Sequence, residues 1–361
     1  MTGNNVLILQ ESIVSYRLPV YNLIAEKVIL TIAFTKKNDA TIKDNFKTIK
    51  LNKITIGGIH FIKNNFFKFC KKYDVVIVMT DLHYISYCLL PFLKTNYKVI
   101  PWTIGIRASY TRRYDVSRKK DLLDEIYLKI LQKSDAIIFY MAEAKKFWGN
   151  ALDKNSIFIA HNTVEVLNVD IDFDIKKKKS ILFVGSLYKE KYVYELIEAF
   201  INAKKSFINS NFFKLDIIGI GEELENIKKL ISANDLENSV ILHGAIYEEK
   251  VLAGFFNKAI MCVSPGQAGL SVLKSMGYGV PFVTRSTAIT GGEKFNITNK
   301  VNGLFYDDQE ELKQIIIDAV NSPNNFIEMG KRAREHYKTN ATIKNMAYKV
   351  INAINFTLNN K

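Results

Sequence analysis

Short, almost wholly apolar runs alternate with amphipathic stretches along most of this chain. Val6–Gln10 reads as a strand, and Arg17–Lys27 follows with helical spacing through Leu18, Tyr21, Leu23 and Ile24. Val28–Phe34, Val75–Thr80, Val99–Thr103, Ala136–Tyr140 and Ile157–Ala160 predict further strands. Helices are predicted over Tyr84–Lys94, Lys119–Lys133 and Met141–Gly149. Strands rich in β-branched residues and without polar alternation belong to a parallel sheet covered on both faces. The pattern pauses over Val164–Lys179, where DIDFDIKKKK turns from acidic to basic without periodicity, as in an interdomain linker. It restarts at Ile181–Val184 and continues through strands at Leu215–Gly219, Val240–His243, Met261–Ser264 and Pro281–Thr284. Asp308–Asn359 reads as a helix-rich tail.

Two successive doubly wound α/β units are therefore expected, at 1–163 and 180–340, joined by a linker at 164–179. The tail at 341–361 would return to the first unit. With 361 residues the chain is too long for one ordinary core. Open α/β sheets bind ligands outside the carboxyl ends of their strands, so two such units can face each other across a cleft. A nicotinamide enzyme would share this layout. However, no GxGxxG follows the first strand, where Ser12 to Tyr16 stand instead.

Composition narrows the picture a little. No apolar run approaches the roughly 20 residues of a membrane helix. The N-terminal MTGNNVLILQES lacks the basic and long apolar regions of a signal peptide. Cys70, Cys88 and Cys262 are far apart in apolar contexts, which suits buried free thiols in a reducing compartment. A cytoplasmic protein is the expectation. The net charge of +14 admits nucleic acid, anionic membrane or anionic small substrates as partners, or reflects lysine-rich genome composition alone. No RNP, KH, zinc or helix-turn-helix signature accompanies it, so nucleic acid is not expected. Phe61–Tyr73 mixes Phe61, Phe66, Phe67 and Phe69 with four lysines, and Arg112, Arg113, Arg118, Lys119 and Lys120 form a second basic cluster. A basic, aromatic surface helix would suit the cytoplasmic face of an anionic membrane; alternatively its aromatics are core and its lysines a solvated face.

The most telling stretch is Ser264–Thr284, SPGQAGLSVLKSMGYGVPFVT. A strand runs into a small-residue turn, then an amphipathic helix, Gly-x-Pro and another strand. Such a turn aims free backbone N–H groups at one point, and the helix dipole adds partial positive charge there. A phosphate seat is expected at Gly269, Leu270 and Ser271. Upstream, FVGSLYKEKYVYELIEAF places Lys189 and Lys191 in a turn at a helix N-terminus, where the dipole disfavours cations. They would help to hold an anion, or form a solvated lysine cluster. LDIIGIGE ends a strand in Gly219-x-Gly221, a common βα turn.

These motifs, in this order, resemble the retaining glycosyltransferases often called family 4, which have the GT-B fold. The resemblance covers Ile181 to about Asn321 and is thinner before that. It implies transfer of a sugar from a nucleoside diphosphate sugar to a hydroxyl of a growing, lipid-linked glycan, with retention at the anomeric carbon and without a metal or other cofactor. Relatives carry Gly-Arg, a short turn and Lys-Gly for the diphosphate; here Ser186 replaces the arginine and Lys191 keeps the lysine. Gly219, Gly221, Gly244 and the main chain near Ile246 would lie beside the nucleotide. Relatives carry two glutamates on the phosphate-seat helix, eight positions apart. Gly266 and Lys274 stand in their places, although a carboxylate where Lys274 stands normally chelates the ribose diol. Lysine cannot accept two hydroxyl protons, so altered donor contacts are implied. Glu293, after two glycines, is a candidate substitute or an ordinary loop acid. In the first unit, Tyr16-Arg17-Leu18-Pro19 resembles a YR-x-P opening, and Arg17 at the mouth of the cleft would supply charge missing at Ser186, or is an exposed arginine at a helix start. Pro101–Arg107 has Ile104 where relatives carry a histidine, and Arg107 is a candidate for phosphate or acceptor contact. His161 and His243 suit structural roles. The departures leave a second possibility, a degenerate GT-B protein that binds or scaffolds a partner without catalysis.

Overall fold

The computed structural model describes residues 3–63, 65–108, 114–207 and 213–359. Two compact units divide the chain, Met1–Val164 with Thr342–Lys361, and Glu165–Ala341.

The first unit is built on a parallel sheet. Its strands are β1 (Asn5–Gln10), β2 (Ile29–Phe34), β3 (Lys47–Lys50), β6 (Val75–Met79), β7 (Lys98–Thr103), β8 (Ile137–Phe139) and β9 (Ile157–Ile159), in the order β3-β2-β1-β6-β7-β8-β9. Between them β4 (Lys53–Ile56) and β5 (Ile59–Ile62) form an antiparallel hairpin that the hydrophobic pattern did not reveal. Gly57 and Gly58 both have positive φ, which is what its two-residue turn requires. The helices are α1 (Leu18–Ala25), α2 (Phe66–Cys70), α3 (Ile85–Cys88), α4 (Leu90–Leu93), α5 (Leu122–Gln132) and α6 (Glu143–Trp148). The helix predicted over Tyr84–Lys94 is broken at Leu89, because Pro91 offers no N–H to continue it. Helix α5 starts later than its periodicity predicts. Asp121 caps it, accepting from the Asp124 amide while Asp124 accepts from Asp121. The chain's last helix, Ile343–Asn359, belongs to this unit and buries Met346, Ala347, Val350 and Ile354 in the same core as Val6, Ile8 and Tyr21.

The second unit repeats the scheme. Strands β10 (Ser180–Val184), β11 (Lys214–Ile218), β12 (Val240–Leu242), β13 (Ala259–Val263), β14 (Phe282–Arg285) and β15 (Gly303–Tyr306) form a parallel sheet ordered β12-β11-β10-β13-β14-β15. Helices α7 (Val193–Lys204), α8 (Leu224–Ser232), α9 (Glu249–Lys258), α10 (Leu270–Gly277), α11 (Gln309–Asn321) and α12 (Asn324–Asn340) accompany it. Both units are thus doubly wound α/β, as the pattern predicts.

The stretch expected as a linker packs on the second unit. Ile171 and Phe173 lie against Gly279, Val166 against Gly277, and the Leu167 amide donates to the Tyr278 hydroxyl. Lys178 follows. It is buried, its ammonium has no hydrogen-bond partner among the described residues, and burial lowers its pKa to about 8. A buried polar group without a partner costs roughly 1–3 kcal/mol. Lys178→Met keeps the packing and removes that cost, so it should raise the thermal midpoint at pH 7; an unchanged or lower midpoint would show that the amine is well solvated.

Candidate functional site

In each sheet the chain reverses direction once. In the second unit it runs β10, β11, β12 outward and then crosses to β13 on the other side of β10. Loops leaving β10 and β13 therefore diverge, and an open α/β sheet binds its ligand at such a switch point. Both motifs singled out in the sequence lie there. After β10 come Gly185, exposed Ser186, and a single 3-10 turn at Lys189–Lys191 that leads into α7. After β13 comes Ser264 to Gly269, leading into α10.

The two loops are stitched together. The Gly266 amide donates to the Lys191 carbonyl (3.1 Å), and the Tyr188 hydroxyl bonds to Gln267 Oε1. Ser264 Oγ donates to the Gln267 carbonyl (2.8 Å) and Thr284 Oγ1 to that of Ser264 (2.7 Å). No side chain caps α10, and among the described residues no partner is recorded for the amides of Gly269, Leu270 and Ser271. A Cβ on Gly269 would meet nothing within 4 Å, so the space beside the turn is open. Free amides, a helix N-terminus and open space make an anion seat.

Lys191 is a buried cation at the end of the first of these loops. Its side chain is 8% exposed, with Nζ 3.6 Å from where a Cβ on Gly185 would lie and 5.4 Å from the Tyr188 ring centre. No ion pair is recorded for it among the described residues, and burial pulls its pKa down to about 8. An ammonium held partly dry without a counter-ion is poised for an incoming anion.

The remaining glycines have packing reasons. A Cβ on Gly219 would lie 1.8 Å from the Gly185 carbonyl oxygen, and one on Gly221 2.2 Å from that of Leu187. Their lack of side chains serves the contact with the 185–187 backbone. Gly266 is similar, since a Cβ there would lie 1.8 Å from the Glu190 carbonyl oxygen. A glutamate cannot occupy this position while the 189–191 turn crosses it. Gly244 has φ 69° and accepts from the Gly219 amide; Ile246 beyond it is half-buried, and Tyr247 is 88% exposed.

Lys274 does not stand alone. Its Nζ is 2.5 Å from Glu249 Oε2, and the Tyr278 hydroxyl donates to Glu249 Oε1 (2.6 Å). Glu249 opens α9, directly after the Gly244–Tyr247 loop. A carboxylate therefore does lie beside position 274, but it comes from another helix. The pattern offered one signal for it: a cation at a part-buried position needs an acid nearby, and Tyr247-Glu248-Glu249 begins the neighbouring helix.

Other candidates are committed elsewhere. Arg17 is 4% exposed, not at an open mouth. Its guanidinium donates to Asn162 Oδ1 (2.7 Å) and Met346 Sδ (2.9 Å) and lies 5.3–5.5 Å from the rings of Tyr16, Trp102 and Tyr140. Arg107 donates to Asp121 (2.5 Å), the cap of α5. Glu293 is buried, and its carboxylate turns back to the Gly291 amide (3.1 Å). His243 is held by Asp216 (2.7 Å) and the Phe255 ring. Arg112 and Arg113 lie outside the described residues; Arg118 forms a fork with Asp124. Phe66 is buried and Phe67 and Phe69 pack on the core, so most aromatics of the 61–73 stretch point inward. The three cysteines are free and buried, with thiols pushed up to about 12 by burial.

Residues 170–336 match the family of group 1 glycosyl transferases. An uncharacterized glycosyltransferase of Methanocaldococcus jannaschii is 27% identical over 289 residues, 74% of this chain and 72% of that protein. The chain is a GT-B glycosyltransferase. Its fold is that of a glycosyltransferase from Rickettsia africae, with TM-score 0.71, 14% identity and full coverage of both chains. S. aureus TarM, crystallised with fondaparinux, alpha-GlcNAc-glycerol and UDP, superposes with TM-score 0.56 and 20% identity over 78% of this chain. The chain spans 55% of TarM's length. The matched family region contains the loops after β10 and β13. No helix among the described residues is long and apolar enough to cross a membrane.

Proposed function

We propose that this transferase takes a sugar from a nucleoside diphosphate sugar and adds it to a hydroxyl of a growing lipid-linked glycan, with retention and without a metal. The observation that carries this is the buried Lys191 ammonium, without an ion pair among the described residues, on a turn bonded to the loop that leads into α10. TarM's complex with UDP supports a uridine donor. The diphosphate would sit on the amides of Gly269, Leu270 and Ser271, with Lys191 and the Ser186 hydroxyl on its flank. The nucleoside would lie along Gly244 and Ile246. Glu249, steered by Lys274 and Tyr278, would accept the ribose hydroxyl protons that lysine cannot.

In front-face transfer the bond between anomeric carbon and diphosphate breaks as the acceptor oxygen attacks from the same side. The acceptor's proton passes to the departing diphosphate oxygen. Such a step needs few protein acids or bases; it needs the reactants held together and the leaving group's charge neutralised. A peripheral site at an anionic membrane is part of the proposal. Ile54, Ile56, Ile59 and Phe61 are exposed and paired across one face of the β4–β5 hairpin, with Lys63 and Lys68 exposed nearby.

The test is a thermal-shift screen of UDP-, GDP- and ADP-sugars. A donor present at about 100 times its Kd stabilises the folded state by about 2.7 kcal/mol, so at least one should raise the midpoint. No shift with any donor would favour the scaffold alternative. For the donor found, Glu249→Gln should weaken binding of its nucleoside diphosphate about tenfold, one hydrogen-bonded charge's worth, and leave inorganic diphosphate unaffected. Equal losses for both ligands would remove Glu249 from the ribose.

A further inference from the structure

Strand β14 ends in Thr284 and Arg285. Thr284 holds the loop after β13 through the Ser264 carbonyl (2.7 Å). Arg285 reaches both loops of the site. Its amide donates to the Pro265 carbonyl (3.4 Å), on the way to α10. Its guanidinium grips Glu195, in the first turn of α7: Nε lies 3.0 Å from each carboxylate oxygen and Nη2 2.7 Å from Oε2. Tyr306, the neighbour of Arg285 across β15, donates its hydroxyl to Glu195 Oε1 (2.8 Å). The Glu195 side chain is 12% exposed, so its carboxylate is held by a fork and a rigid ring in a mostly dry place. Such a fork fixes direction as well as distance.

What Glu195 steadies is the entry to α7. Its amide donates to the Tyr192 carbonyl (3.1 Å), and Tyr192 directly follows Lys191. Tyr192 is left-handed, with φ 53° and ψ 42°, and no side chain caps the helix there. A residue with a Cβ keeps that conformation only where its surroundings over-determine it. On one side these surroundings are the β13 loop, whose Gly266 amide holds the Lys191 carbonyl (3.1 Å). On the other they are Arg285 and Tyr306, acting through Glu195. Neither hold occupies the Lys191 ammonium, for which no ion pair is recorded among the described residues.

We propose that Arg285 is a positioning residue for Lys191: it locks the start of α7 to the loop that leads into α10 and so keeps the lysine side chain in its buried place. Lysine at 285 would keep the charge and lose the fork. With the lock loosened, the Lys191 ammonium gains water, and a cation that gains water titrates higher. The use made of Lys191 rests on the diphosphate-binding proposal; its positioning by Arg285 does not.

The test reads Lys191 directly. Full-length protein carrying carbon-13 at lysine Cε is titrated between pH 7 and 10, and Lys191 is the resonance lost in Lys191→Arg, in each background. Wild type should give a midpoint near 8. The neighbouring Cys262 thiol is pushed up to about 12 by burial and stays neutral through this range. Arg285→Lys and Tyr306→Phe both leave the formal charge unchanged, so a shift at Lys191 reports its surroundings and not a lost charge. Both should move the midpoint from about 8 toward the 10.5 of an exposed lysine, Arg285→Lys further. Arg285→Lys should also weaken inorganic diphosphate and UDP alike, by about tenfold. Tyr306→Phe removes a single hydroxyl, so it keeps the test decisive if Arg285→Lys does not fold. A lower thermal midpoint in both variants with Lys191 titrating as in wild type would make the ion pair a matter of stability alone and overturn the proposal. A wild-type Lys191 that titrates near 10.5 would overturn it too. If Lys191 shifts as expected while wild type binds neither UDP nor diphosphate, the positioning stands and the donor reading falls; donor binding with an unmoved Lys191 sinks only the positioning.

Discussion

Gly266→Ala is expected to cost the protein about 3 kcal/mol, near the upper end for overpacking a closed site. The added Cβ would lie 1.8 Å from the Glu190 carbonyl oxygen and 2.7 Å from Tyr192 Cδ2. The first of these is backbone, in a 3-10 turn that is itself bonded to Gly266 through the Lys191 carbonyl. It cannot swing aside like a side-chain end. The turn also feeds Tyr192, which opens α7 with φ 53° and so has little room to absorb a shift. For a unit of this size, that loss lowers the thermal midpoint by roughly 6–12 °C. Gly269→Ala is the internal control, three residues away. Its Cβ would meet nothing within 4 Å and its φ of −107° suits any residue, so its midpoint should stay within a degree or two of wild type. Equal midpoints for Gly266→Ala and wild type in urea and heat would show that the two loops are not locked together. The same contact explains why this chain lacks a glutamate at 266: the position has been filled by its own 189–191 turn.

The hydrophobic pattern located almost every strand of the two sheets, because buried parallel strands are short and uniformly apolar. It missed the edge strands β3, which is mostly exposed, and β15, and also the β4–β5 hairpin, whose face carries Ile54, Ile56, Ile59 and Phe61 to solvent and whose signal lay in Gly57-Gly58 instead. The loops proposed as the phosphate seat were legible for a related reason. Gly269 and Lys191 stand out through local backbone and through position at strand ends, and both are written in neighbouring residues. Contacts between distant segments were not. Arg17 looks like an exposed helix-start arginine until Asn162 and Met346, from the far end of the unit's chain, close over it. Glu249 has no motif of its own, and only its pairing with Lys274, 25 positions on, shows why a lysine can stand there. Glu293 has the flexible approach expected of two glycines, but the flexibility lets its carboxylate fold onto its own loop.

Lys191→Ala should lower transfer by about 10²–10³-fold while leaving the fold intact, the range seen when one preorganised donor to a developing anion is removed. Among the described residues its ammonium has no carboxylate to leave unpaired, so none of them loses an ion-pair partner with it. The amine is partly buried, and losing it should spare or slightly raise stability. The pH dependence separates charge from shape. In the free protein burial holds the pKa at about 8, below the 10.5 of an exposed lysine. Between those values the unfolded chain binds more protons than the folded one, so Lys191's contribution to stability rises with pH across that window and is least favourable below pH 8. Donor binding runs the opposite way. A diphosphate favours the charged form, so its affinity is flat below pH 8. Above pH 8 each binding event takes up a proton, and affinity falls up to tenfold per pH unit until the pKa of the complex is reached. Calorimetric titration of UDP between pH 7 and 10 in buffers of different ionisation enthalpy reads that proton uptake directly. The uptake and the slope should both vanish in Lys191→Ala, whereas Lys191→Arg should bind without a pH slope. Wild-type-like turnover in Lys191→Ala, or an unchanged slope in that variant, would take Lys191 out of the mechanism and leave the amides of α10 as the whole of the diphosphate site.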